Sequence, residues 1–327
     1  MFPIHDSVAD ARDRSRVPKI SVVMPACNAE HTIEQSVRSG LSQTFQDLEL
    51  IAVDDGSRDG TLAVLGRISD PRLRVLSVAQ AGPSRARNVG LEAARGELVA
   101  FLDADDVWLP NKLTAQVEAL ESHRDASVAY SWTDYIDERG QRTDGRCHVT
   151  CNGDVLAPLL HGNFLSNGSS PLIYTQAVRD AGAFDESLHA CEDWDLWLRL
   201  AAHHRFVCVA TPHVLYRRTS SSQSCDFALM AETASVVIER ACRRAAPLLQ
   251  RDSAMTYSLF YRELAARALE VGRGPEGGRA SYGTLAWSVR SLWRAVRQAP
   301  RSTLADPRTR ETVRGIVTAC VRIPRPA

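Results

Sequence analysis

The sequence predicts an α/β fold: a mostly parallel sheet flanked by helices, with an α-helical C-terminal extension. Three observations carry that expectation. Short apolar runs bounded by Gly, Pro or acids recur between residues 20 and 102, at lengths suited to buried strands. Stretches with apolar residues three and four apart separate them, as helices between parallel strands require. From Asp226 onward only the helical spacing persists.

The elements follow in order. Residues 1–17 are polar, with mixed charge, and read as a loose tail. Ile20 to Met24 is a strand, stopped by Pro25. Ala29 to Ser42 is a helix on the spacing of Ile33, Val37 and Leu41. Leu48 to Val53 is the second strand and ends in Asp54-Asp55-Gly56-Ser57. Thr61 to Ile68 is a helix and Leu73 to Val78 the third strand. Gly82-Pro83 opens a helix running to Ala94, with Gly96 just beyond it. Leu98 to Leu102 is the fourth strand, and a helix runs from Pro110 to about Ser122. Val128 to Tyr135 reads as a further strand, and 140–152 as an irregular excursion.

At 327 residues the chain can bury a full core as one large domain or two smaller ones. Its formal net charge is zero but unevenly placed. From Arg240 to the end there are 17 arginines, no lysine and 6 acids, and the remainder carries the matching acidic excess. That asymmetry predicts two regions with different partners. The eight cysteines lie apart without a C-x-x-C, which reads as reduced thiols and argues against zinc. The N-terminus lacks an apolar signal-like region, and no apolar run approaches the roughly 20 residues that span a bilayer. The expectation is a cytoplasmic protein, with peripheral contact at the inner membrane face as its closest approach to lipid.

In parallel sheets ligands bind beyond the carboxyl ends of the strands. Three strand ends here carry polar groups: Asn28 with Glu30, Asp54 with Asp55, and Asp103 with Asp105 and Asp106. Three carboxylates within four residues raise one another's energy, and a divalent cation with oxygen ligands relieves this. Each end alone reads more simply as a βα turn or helix cap. Together they point to a nucleotide-plus-metal pocket. A carboxylate after the second strand can accept a pyrimidine N3–H. One after the fourth can hold ribose hydroxyls, and its neighbour a metal bridging two phosphates.

Seven motifs then carry a resemblance. They are Ser21-Val22-Val23-Met24-Pro25-Ala26-Cys27-Asn28, Ser42-Gln43-Thr44-Phe45, the stretch from Val53 to Thr61, Gly82 to Gly90, Phe101-Leu102-Asp103-Ala104-Asp105-Asp106, Gly182-Ala183-Phe184-Asp185-Glu186, and Glu192 to Arg199. In this order, over roughly residues 19–224, the chain resembles the inverting glycosyltransferases of family 2, with the Rossmann-like GT-A fold. The resemblance implies a GT-A domain over 19–225, a flexible tail over 1–18 and a helical region over 226–327.

It also implies roles. Asp55 reads the pyrimidine base, with Pro25, Asn28 and Glu30 lining the nucleoside pocket. Arg87 helps hold the nucleotide. Asp103 and Asp105 form a D-x-D pair for ribose and a Mn²⁺ or Mg²⁺ ion, with Asp106 a further metal candidate. Asp193 is the catalytic base. The implied substrates are a UDP- or dTDP-linked sugar and a sugar or lipid-linked acceptor in cell-surface polysaccharide synthesis. Glu192 and Asp195 sit at a helix start, where acids are stabilising in any case. Asn167-Gly168-Ser169-Ser170 reads either as acceptor-cleft lining or as a turn. His203-His204 reads as a helix-end dipole partner.

Two departures stand out. Thr219 occupies the place of a His that follows Tyr-Arg-x in many members. Either the metal has fewer protein ligands, or Arg217 and Arg218 share the phosphate charge. Cys27 stands where an aromatic is common. The serine run at 220–224 reads as a lid or a linker. Rival expectations are a nucleotide-sugar binding protein without catalysis, and a sugar nucleotidyltransferase. The latter lacks a Gly- and Lys-rich phosphate loop.

Beyond Asp226 the spacing predicts helices at 228–249, 254–271, 282–298 and 307–321, with a Gly-rich loop at 272–278. Tyr282, Leu285, Val289, Leu292 and Val296 form an apolar seam with Arg290, Arg294 and Arg297 off it. The seam is expected to pack on the catalytic domain or a second copy as a homodimer. The competing expectation is that this basic helix lies on an anionic membrane. Nucleic acid is not an expected partner, because the arginines are not interleaved with stacking aromatics.

Overall fold

The computed structural model describes residues 17–219, 226–244, 253–273 and 282–299, with Thr303 and parts of 306–313. The expected tail up to residue 16, the serine run at 220–224 and the end of the last helix lie outside the described residues. The chain divides into two compact units. One comprises residues up to Leu156 together with Phe164–Thr219, and the other Ala157–Asn163 with the chain from Ser220 onward.

The first unit begins with the expected alternation: β1 (Ile20–Ala26), α1 (Ile33–Leu41), β2 (Leu48–Asp55), α2 (Thr61–Leu65), β3 (Leu73–Val78), α3 (Pro83–Ala93) and β4 (Leu98–Phe101). Then come β5 (Val107–Trp108), α4 (Lys112–Ser122), β6 (Ala126–Ile136) and β7 (Arg142–Cys147). After α5 (Leu156–His161), which lies mostly in the second unit, follow β8 (Leu172–Tyr174), α6 (Thr175–Asp180), α7 (Glu192–Ala201) and β9 (Arg205–Arg217). The strands form one sheet in the order β3-β2-β1-β4-β8-β6-β9-β5, with β7 on β6. It is parallel from β3 to β4 and mixed beyond.

Alternation along the central strands covers both sheet faces. Ile20, Val22, Met24, Leu50 and Ala52 join one core with Ile33 and Val37 of α1. Ile51, Val53 and Leu76 join another with Ala86 and Val89 of α3. Helix α3 lies so close to β1 that a Cβ on Gly90 would fall 2.3 Å from Val23 Cγ1. That approach sets where the start of α3 stands relative to the strand ends.

Two local expectations need correction, and one strand was not expected. Strand β1 runs through Pro25, which pairs with Val53. Its nitrogen points toward β4, whose pairing with β1 ends at Val23, so no ladder bond is lost there. Strand β5 is only two residues long and takes its place by pairing with β9. Residues 142–147 are no irregular excursion but an exposed strand on β6. Its turn is set by Asp137, whose Oδ1 accepts the amides of Arg139 and Gln141, and by Gly140 at φ 79°.

The second unit contains α8 (Phe227–Arg244), α9 (Ser253–Arg273) and α10 (Tyr282–Gln298). Ala231 of α8, Tyr261 and Leu264 of α9 and Ala295 of α10 share a small core. Arg262 pairs with Asp306 at 2.7 Å. The expected seam of α10 is only partly followed. Leu292 is buried, but Val289 is 44 % exposed. The buried stripe runs through Ser291, Leu292 and Ala295, whose two small side chains admit a closely packed α9. The side chains of Tyr282 and Leu285 lie outside the described residues.

Candidate active site

The site lies at the carboxyl ends of β1, β2 and β4, and its frame is built from side chains that latch neighbouring loops. After β1 the backbone turns through Asn28 in the left-handed region (φ 51°). Asn28 Oδ1 then accepts the Arg58 amide (2.8 Å), and Glu30 Oε2 accepts the Gly60 amide (2.7 Å). Both residues thus tie the loop after β1 to the loop after β2. Pro25 lies half-buried beneath them in the strand. Asp55 ends β2, buried, with its oxygens accepting the amides of Ala81 and Gly82 at 2.8 Å each. Each oxygen keeps a second lone pair. Asp55 therefore fixes the start of α3.

One turn into α3, Arg87 is 5 % exposed and reaches two distant acids. Its Nη2 donates to Asp103 Oδ1 (2.6 Å) and its Nη1 to Glu192 Oε1 (2.7 Å). The guanidinium lies over the Phe184 ring, 5.3 Å from its centroid. Burial alone would pull its pKa down, but Asp103 and Glu192 outweigh it and push it up. Asn88, the next residue, holds the Phe184 backbone through both its amide nitrogen and oxygen. The helix after β3 thereby joins the loop after β4 to the start of α7.

The acidic loop itself is clamped from three sides. Ser36 of α1 donates to the Ala104 carbonyl (2.9 Å). Ser169 accepts the Asp103 amide and donates to Asp106 Oδ2. Arg217 at the end of β9 gives its amide to Asp106 Oδ1 (3.0 Å) and its Nε to the Asp105 carbonyl (2.9 Å). Asp106 is fully buried, and burial with the neighbouring Asp105 and Asp103 charges pushes its pKa well up. Both its oxygens are engaged inside the protein. In the structure Asp106, named above as a further metal candidate, anchors the loop. Arg217 is likewise buried, with its remaining nitrogens on the Asp137 and Glu138 carbonyls and Gln35 Oε1. It is not available to share phosphate charge. Arg218 lies over the Tyr135 ring.

Asp103 and Asp105 remain partly exposed at the loop surface. Burial and the Asp103 charge push Asp105 up to about 6. A cation at this edge would relieve that repulsion, and the hard oxygen donors suit Mg²⁺ or Mn²⁺. Among the described residues no group of three or more His, Cys, Asp or Glu side chains is arranged to hold a metal by itself. Such a donor set fits an ion completed by substrate phosphates and water, as Mg²⁺ commonly is.

Helix α7 starts from Cys191, itself in the left-handed region (φ 55°), and carries three acids in its first turn. Glu192 is taken by Arg87. Asp195 is buried and bonded to Arg199 Nε (2.8 Å), which continues to the Ala183 carbonyl. Asp193 is partly exposed, with its Oδ1 toward the Trp194 amide. Burial and the Glu192 charge push its carboxyl up to about 6.

Sequence reasoning missed the Arg87–Glu192 bond and the Ser169 and Arg217 clamps, and named Asn167 only within a polar run. Asn167 is 4 % exposed and its Oδ1 has no partner. It sits beside Gly168, where a Cβ would come within 3.4 Å of Asp103 Oδ2. The local signal was the polar run Asn167–Ser170 before an apolar strand.

Residues 21–246 match the family model described as glycosyltransferase like family 2. A β-1,3-glucosyltransferase of Escherichia coli, WfgD, is 43 % identical over 102 residues, covering 31 % of this chain and 40 % of that protein. Its name gives UDP-Glc and α-D-GlcNAc-diphosphoundecaprenol as substrates. The chain spans only 20–58 % of the length of such curated relatives. The S. aureus TarS structure with UDP-GlcNAc superposes with a TM-score of 0.60 at 18 % identity, over 92 % of this chain and 89 % of that one. A Pyrobaculum calidifontis mannosyltransferase with GDP-Man and Mn²⁺ gives 0.56 at 18 % identity, over 95 % and 88 %. These likenesses establish the GT-A fold.

Proposed function

The chain belongs to the glycosyltransferase like family 2 and is a glycosyltransferase of GT-A fold, and from that premise we propose that it moves a sugar from a UDP- or dTDP-linked donor to an acceptor hydroxyl with inversion. The transferase work is assigned to residues 19–225. The observation that carries this reading is the pair of hydrogen bonds that Arg87 donates to Asp103 and Glu192, which brings the Asp103–Asp105 loop and the start of α7 together at the carboxyl ends of the strands.

In this reading Asp55 receives the N3–H of the base, in a pocket walled by Pro25, Asn28 and Glu30. Asp103, steadied by Arg87, meets the ribose. Asp105, with Asp103, would hold a Mg²⁺ or Mn²⁺ ion. When bound, such an ion supplies neutralisation of charge developing on the departing diphosphate. The acceptor oxygen attacks the anomeric carbon while the bond to the diphosphate oxygen breaks, and Asp193 takes the acceptor proton. General-base help of this kind is worth about 10²–10⁴-fold. A carboxyl raised to about 6 remains largely ionised at neutral pH yet is a stronger base than an ordinary aspartate. The undecaprenyl-linked acceptor in the name of WfgD supports a lipid-linked acceptor and a role in cell-surface polysaccharide synthesis.

The test is transfer or donor hydrolysis by wild type and Asp193→Asn, with UDP binding followed by calorimetry with and without Mn²⁺. Wild type should turn over donor, and Asp193→Asn should bind UDP normally while losing turnover. Binding by both proteins with turnover by neither would favour a binding protein without catalysis. Indifference to every nucleotide would end the proposal.

A further inference from the structure

The outer face of α10 has no role in the chemistry above. Val289 and Trp293 are 44 % and 59 % exposed, one helical turn apart. Arg290, Arg294 and Arg297 are exposed on the same face, at helical positions adjacent to or one turn from the apolar pair. The Arg297 guanidinium lies over the Trp293 ring at 4.7 Å, and the Arg294 guanidinium 5.6 Å from the Tyr261 ring. The opposite face, through Ser291, Leu292 and Ala295, is buried. The 17 residues of α10 include no acid. The helix also belongs to a region with 17 arginines and 6 acids.

We propose that this face of α10 is a contact for an anionic lipid bilayer. Tryptophan favours the headgroup level, where its ring is half in hydrocarbon and its N–H in water. Arginines beside it meet lipid phosphates, and the valine adds shallow apolar burial. No helix among the described residues is long and apolar enough to cross a membrane, so the contact is at the surface. A second copy of the chain suits the face poorly. A two-fold contact would set three arginines against the same three, with no acid on the helix to answer them. The inference stands apart from the reading of the active site.

The experiment is flotation of the full chain with vesicles of phosphatidylcholine alone and of phosphatidylcholine mixed with phosphatidylglycerol. The wild type should float with the mixed vesicles only. Arg290→Gln/Arg297→Gln should weaken partitioning about 25-fold, from about fivefold per arginine near an anionic surface. Trp293→Ser should weaken it further at unchanged charge. Arg38→Gln/Arg139→Gln removes the same charge elsewhere and should bind like wild type. These positions are exposed, so melting temperatures should not move. Equal binding to neutral vesicles, or equal loss in the control pair, would overturn the proposal. So would a dimer that Trp293→Ser dissociates in a protein that ignores vesicles.

Discussion

Arg87→Met is the sharpest probe of the frame. The substitution keeps much of the apolar stem but removes a guanidinium bonded at 2.6 and 2.7 Å to two acids. The side chains of Asp103 and Glu192 are only 22 % and 10 % exposed, so solvent replaces the lost partner poorly. Breaking one side of such a pair costs about 3–5 kcal/mol, because a buried charge is left uncompensated. For a unit of this size each kcal/mol moves Tm by roughly 2–4 °C. Arg87→Met should therefore lower Tm by about 6–20 °C in a thermal melt. The double variant with Glu192→Gln should recover part of that loss, with a coupling of at least ~1 kcal/mol by denaturant titration. A fall of less than about 2 °C, with additive single and double variants, would refute the argument that this bond joins the two halves of the site.

Four further outcomes follow from the same geometry. The acid limb of kcat/KM should lie near pH 6, with activity lost below it: the base works ionised, and Asp193 is raised to about 6. A limb near pH 4 would show the wrong carboxylate or no base. Asp105→Asn should weaken Mn²⁺-dependent UDP binding in calorimetry and leave metal-free binding near wild type, and equal loss in both conditions would tell against its metal role. Gly90→Ala should destabilise by about 1–3 kcal/mol through overpacking against Val23, and Val23→Ala should make it nearly harmless. Asp195→Asn should lower Tm while kcat/KM of the folded protein stays near wild type, since Asp195 meets Arg199 rather than the cleft.

How much was legible in the sequence depends on how far each interaction reaches. Strands β1 to β4 were readable because both faces are buried, which writes continuous apolar runs into the chain. Strand β7 was not, because Arg142–Cys147 is mostly exposed and makes no hydrophobic pattern. The two residues of β5 are a strand only because β9 lies beside them. At the site, the acids at the strand ends announced themselves by type and position. Their assignments did not. Nothing near Asp106 in sequence says that Ser169 and Arg217 enclose it, and nothing near Arg87 points to Glu192, 105 positions away. Arg217 read as a phosphate partner from its place beside Thr219, and only the fold shows its nitrogens on carbonyls and Gln35.

The acids of the site divide by what faces them, and that division has a physical reason. Asp103, Asp105, Asp106, Glu192, Asp193 and Asp195 come from two short stretches that meet at the carboxyl ends of the strands. Six ionised carboxylates in so small a space would oppose folding. Arginines answer three of them, Arg87 at Asp103 and Glu192 and Arg199 at Asp195. Asp106 is buried under Ser169 and the Arg217 amide, with its acidity suppressed. Of the three paired with arginine, Asp103 alone stays partly exposed. Asp105 and Asp193 keep exposed surface and raised pKa values, so each gains most from a cation or a proton arriving with substrate. The residues that stabilise the frame and those proposed to act on substrate are thus the same residue type. What separates them is burial: Glu192, Asp195 and Asp106 are buried, while Asp103, Asp105 and Asp193 keep exposed surface.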